Sequence, residues 1–118
     1  MKKLEIEQVT RQDLPVMVYR LRGTLTNSHE SYAFLEEISE QAHENAFRVV
    51  VNLEKLDALT SAGVGILAAC YTSIHRAGGR MALACVPART RAILKVVHLL
   101  EILGDSPTEE EAVRAAAQ

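Results

Sequence analysis

The sequence predicts a single α/β domain over residues 1–118, built on a mixed, mostly parallel sheet of four to five strands with about four helices. Three observations lead there. Val49, Val50 and Val51 with Leu53 form an unbroken apolar run of the kind found in strands buried on both faces. Downstream, Val64, Leu67, Ala68, Tyr71 and Ile74 recur at helical spacing, and Arg80 to Val86 then reads as another strand. Strand, helix and strand in that order imply a right-handed parallel crossover. At 118 residues the chain is long enough to bury about two-thirds of its unfolded surface in one core and too short for two.

From the start of the chain, Lys3 to Val9 alternates Leu4 and Ile6 with Lys3, Glu5 and Glu7, which predicts a half-exposed edge strand. Turn formers follow from Thr10 to Pro15. Val16 to Arg22 resumes the alternation, so the two strands should form a hairpin. After Gly23-Thr24-Leu25-Thr26, Asn27 with Glu30 three positions on resembles a capping box and predicts a helix with Leu35, Ile38 and Ala42 inside. Its acids Glu30, Glu36, Glu37, Glu40 and Glu44 read as a solvated face. Glu54 to Thr60 is expected to connect the buried strand to the second helix, which begins at Thr60 or Ser61 and stops at His75-Arg76-Ala77-Gly78-Gly79. Pro87 ends the next strand, and Ile93, Val96, Val97 and Leu100 are the expected inner stripe of a third helix. Ser106 as cap, Pro107 at the first position and Glu109 predict a last helix running to about Ala116.

Composition excludes several classes of function. With 13 basic and 15 acidic side chains there is no long-range field to draw in nucleic acid or an anionic membrane. No apolar stretch approaches the roughly 20 residues of a membrane span, and the charged N-terminus lacks the apolar run of a signal peptide. A soluble, cytoplasmic protein is expected. Cys70 and Cys85 have no neighbours at zinc-ligand spacing, and His29, His43, His75 and His98 are scattered, so neither metal nor cofactor is expected. Gly63-Val64-Gly65-Ile66-Leu67-Ala68 fits Gly-x-Gly-x-x-Ala, yet the acid expected about 20 residues later in a dinucleotide site is missing.

The one chemically loaded turn is Leu59-Thr60-Ser61-Ala62-Gly63-Val64-Gly65, at the strand-to-helix junction. Here the first helical amides lack partners and the dipole is positive, so an anion on Ser61 would gain about 0.3–1 kcal/mol. Thr60 or Ser61 also suits a plain N-cap. The glycines let another backbone or a partner approach closely.

Val49 to Leu56, Thr60 to Leu67, Gly78-Gly79 and Met81 to Val86 resemble the STAS domain of bacterial anti-sigma factor antagonists, with matching element order over nearly the whole chain. The family pattern Asp-Ser-Ser/Thr-Gly-Leu-Gly falls on Thr60 to Gly65, and its phosphorylated serine on Ser61. The resemblance implies a non-enzymatic switch. The unphosphorylated form binds an anti-sigma factor serine kinase and frees the sigma factor, the kinase breaks the complex by phosphorylating the serine, and a serine phosphatase restores it. It makes Thr60, Ala62, Gly63, Val64 and Gly65 the close-contact platform and Thr26 and Asn27 flanking contacts. Two acids of the family pattern are threonines here, Thr60 before the serine and Thr26 in Gly23-Thr24-Leu25-Thr26. A fixed STAS subunit of a larger assembly, in which Ser61 only caps, is the other reading.

Overall fold

Period-two alternation brings the first two strands together. β1 (Glu5–Thr10) runs antiparallel to β2 (Met17–Leu25), with Ile6 opposite Leu21 and Glu7 opposite Arg20, as the expected hairpin. The computed structural model describes residues 2–11, 13–44 and 47–118. After β2 come α1 (His29–Glu44), β3 (Arg48–Leu59), α2 (Ser61–Arg76), β4 (Arg80–Ala84), α3 (Ala88–Val96), α4 (Leu99–Leu103) and α5 (Glu109–Ala117). The sheet order is β1-β2-β3-β4, with β3 parallel to both its neighbours. Among the described residues the result is a four-stranded mixed sheet with five helices, within the predicted α/β class.

The valine run explains how the layers form. Successive side chains of a strand point to opposite faces, so Val49 and Val51 join one apolar cluster and Val50 the other. The larger cluster lies under α1 to α4 and includes Tyr19, Leu21, Phe34, Ile38, Leu67 and Leu83. The smaller lies under α5, where Ala82 and Ala84 of β4 meet Ala112 and Ala116. Small residues on both sides let that helix sit close to the sheet.

Polar groups fasten α5 as well. Arg20 donates to both oxygens of Glu109 at 2.9 and 2.8 Å, and the buried Asn52 side chain donates to the same carboxylate at 2.9 Å. Arg48 donates to the carbonyls of Ala116 and Gln118, both at 2.7 Å. The Arg20 hydrogen bonds, aided by Asn52 and opposed by partial burial, hold the Glu109 carboxyl below its ordinary value of 4.5. A folded-state value below the unfolded one stabilises at higher pH and is lost as pH falls from 4.5 through the lowered value. With Arg20 partly exposed, Glu109→Gln is expected to cost about 1 kcal/mol at neutral pH. It should also flatten the acid limb of the stability profile, measured by denaturant titration from neutral pH into the acid range.

Four expectations are corrected at the level of single elements. Residues 54–59 are strand: β3 runs on to Leu59, pairing Leu56 with Gly23 and Leu59 with Leu25 across two register shifts. Glu54, Lys55 and Asp57 are exposed while Leu56 and Leu59 are buried, so the polar face of a continuing strand resembled a loop. β4 ends at Ala84 because Cys85 turns the chain at φ 55°. The expected third helix is two, broken at Val97 and His98, where His98 adopts a left-handed φ of 63°. Val96 and Val97 stay 78% and 48% exposed, and Leu94, Leu99, Leu100 and Leu103 form the inner set across the two helices. Thr108, not Ser106, caps α5, accepting from the Glu111 amide at 3.2 Å. Ser106 instead extends the edge of β4, bridging Ala84 and receiving the Cys85 amide on its carbonyl.

Candidate functional site

The site forms where the parallel strands β2 and β3 end side by side, Leu25 opposite Leu59, before each feeds a helix. Thr60 ties the two ends together. Its amide donates to the Leu25 carbonyl at 3.1 Å, and its hydroxyl accepts from the Gly63 amide at 3.3 Å as the N-cap of α2. The helix approaches so closely that a Cβ on Gly63 would lie 2.2 Å from the Leu25 carbonyl oxygen. Glycine there is a steric requirement.

Capping therefore belongs to Thr60. Ser61 is the first residue of α2 and is exposed. Among the described residues its hydroxyl has no hydrogen-bond partner within the chain. The first turn of α2 carries no acid, so the positive end of the helix dipole and the unpartnered first amides are free to favour negative charge at this hydroxyl. Thr60→Ala should cost about 1 kcal/mol of stability for the lost cap. Ser61→Ala, by contrast, should stay within about 0.5 kcal/mol of the parent, and paired denaturant titrations measure the difference.

The other expected contacts divide by exposure. Gly65 is exposed with open space around its Cα, Ala62 is half-buried, and Val64 is half-buried with its side chain on the core. Gly63 is buried and faces Leu25, beneath the platform. Beside α2, Thr26 is half-buried and Asn27 exposed. The cap of α1 falls on Ser28 instead of Asn27, since the Ser28 hydroxyl accepts from the Ser31 amide at 3.1 Å. Thr26 accepts from the Ser28 amide at 3.1 Å and donates its own amide to the Ser31 hydroxyl at 3.0 Å. Ser31 is fully buried. These bonds fix the loop next to the start of α2. Sequence reasoning missed Ser28 and Ser31, although serines three apart at a helix start are a capping signal in themselves.

Elsewhere the chemistry is quiet. Burial pushes the Cys70 thiol up to about 12, so it is not a thiolate at neutral pH. Among the described residues no group of three His, Cys, Asp or Glu is placed to hold a metal ion, and no helix is long and apolar enough to cross a membrane.

Comparison with known proteins adds to this geometry. The family model described as the STAS domain matches residues 6–112. The solved structure of the anti-sigma factor antagonist SpoIIAA in its unphosphorylated form is 27% identical, with a TM-score of 0.76, 96% of this chain and 95% of that chain being covered. SpoIIAA, a Bacillus cell fate determinant, is also solved in its phosphorylated form, at 27% identity, a TM-score of 0.71 and coverage of 96% and 98%. A sulfate transporter family protein from Wolinella succinogenes shares the fold at 16% identity, a TM-score of 0.70 and coverage of 87% and 85%.

Proposed function

The chain belongs to the STAS domain family, and from that premise we propose that it is an anti-sigma factor antagonist-like regulator, switched off by phosphorylation of Ser61. In this reading the unmodified protein binds an anti-sigma factor serine kinase and so controls sigma-factor-dependent transcription. A serine phosphatase resets it. The protein is a cytoplasmic binding module, with no catalytic residue of its own.

The observation that carries the reading is the exposed Ser61 hydroxyl at the first position of α2, its capping role already filled by Thr60. A phosphate there adds a charge of about −1.5 to −2. The free helix end tolerates it, whereas a partner seated on Ala62, Val64 and Gly65, and flanked by Thr26 and Asn27, would have to desolvate or pair it. Likeness to a protein known in both phosphorylated and unphosphorylated forms supports the same reading.

A second reading, a constitutive STAS subunit of a larger assembly, draws on the likeness to a sulfate transporter family protein and on Thr60 and Thr26 standing where the family pattern has acids. Mass spectrometry after incubation with magnesium-ATP and the host's serine kinases separates the two. One phosphate, located on Ser61, is the expected result. An unmodified protein under conditions that phosphorylate a control antagonist overturns the switch in favour of the fixed subunit.

A further inference from the structure

β1 ends the sheet, and among the described residues no strand pairs with its outer edge. Beside it, between β1 and α1, lies a groove of about 320 Å³. Leu4, Ile6, Tyr19 and Phe34 form its apolar lining, and Ile6 remains 40% exposed. Two acids of α1, Glu30 and Glu37, stand on its wall. Glu37 accepts only the Tyr19 phenol, at 3.4 Å, and among the described residues no cation lies within 4 Å of it. Glu30 meets Lys3 at 3.6 Å in an exposed pair, an interaction worth at most about 1 kcal/mol and readily exchanged.

We propose that this groove docks an extended segment of a basic protein partner, which adds a fifth strand alongside β1. Side chains two apart on a strand share a face. One bulky apolar side chain of the segment therefore enters the lining around Ile6 and Phe34, while a lysine or arginine two residues away reaches Glu37 or Glu30. Main-chain pairing supplies affinity and the alternate side chains supply specificity, as in other strand-addition complexes. Charge selects the occupant. A second copy of this chain would bring Glu30 and Glu37 of both copies to one seam; a basic segment meets complementary charge instead. The proposal stands on the β1 edge and holds whether or not Ser61 is modified.

The probe is a synthetic peptide, Thr-Lys-Thr-Phe-Thr-Lys-Thr, whose phenylalanine and two lysines share one face of a strand. Titrated into ¹⁵N-labelled protein, it is expected to give saturable amide shifts on β1 and the first half of α1. The analogue with glutamates for lysines should bind at least about fivefold more weakly, the effect of roughly 1 kcal/mol of charge pairing. Ala33→Phe, at an exposed α1 position lining the groove, should abolish the saturable shifts with the far-UV dichroism and melting temperature unchanged. No saturable shift with the lysine peptide, or equal binding of the glutamate analogue, overturns the proposal. So do β1 shifts that track protein concentration without peptide, since they would make the groove a contact between copies.

Discussion

Replacing Gly63 with alanine is expected to destabilise the fold by about 3 kcal/mol, at the upper end of what overpacking costs. The added methyl would sit 2.2 Å from the Leu25 carbonyl oxygen and 2.8 Å from a Leu59 methyl. The leucine side chain can rotate away. The carbonyl cannot, because it belongs to the backbone of β2 and already accepts the Thr60 amide at 3.1 Å. Relief requires the first turn of α2 to lift from the sheet, which breaks that bond and opens the layer containing Ile66 and Leu67. In a domain of this size the melting temperature should fall by roughly 10 °C. Gly65→Ala is the matched control. A Cβ there meets nothing within 4 Å, so the exchange should gain up to about 1 kcal/mol from helix propensity alone. Two glycines two positions apart should thus shift the denaturation midpoint in opposite directions. A stable Gly63→Ala protein would show that the strand-to-helix junction is looser than described.

The second large effect is on binding. If the proposed function holds, Ser61→Glu is expected to weaken association with the anti-sigma factor kinase proposed as its partner by at least about a hundredfold, which corresponds to roughly 3 kcal/mol. That is the scale of closing an interface over a charge without a partner. The free protein should be as stable as the parent or slightly more so, because a carboxylate in the first turn of α2 opposes the helix dipole favourably. Ser61→Ala should bind like the parent and take up no phosphate. Calorimetric titration of the three proteins against the kinase measures this. Equal affinity for Ser61→Glu and the parent would remove the charge of Ser61 from the control of binding.

The crossover was legible in the sequence because its signals agree. Apolar spacing from Val64 to Ile74, basic residues at His75 and Arg76, and a glycine at φ 82°, Gly78, all place the same helix, observed as Ser61–Arg76. What was not legible has a common physical origin in each case. Glu54, Lys55 and Asp57 are polar because no helix covers that part of the strand, so β3 looked shorter than it is. The stripe through Val96 and Val97 assumed one continuous helix, and a histidine in the left-handed region, which sequence does not announce, breaks it. Helix starts slipped by one or two positions at Ser28 and Thr108, because neighbouring Ser, Thr and Asn side chains all suit capping and only geometry selects among them. For the site, the serine and its glycines were readable from the turn. The inward role of Gly63 and the buried Ser31 bonds were not, since they depend on what β2 places opposite.

The sheet separates the two apolar clusters, and among the described residues α5 is the helix that covers the smaller one, with Leu14 packed at its margin. Within one cooperative fold, elements with fewer buried contacts open locally at lower free energy than the central strands. The C-terminal helix is accordingly the shutter that swings first: its amides should trade protons for deuterons well before those of the central valines. Salt or acid strong enough to loosen its clasps would bare the rear wall of the molecule while the front, with its marked hydroxyl, keeps its shape.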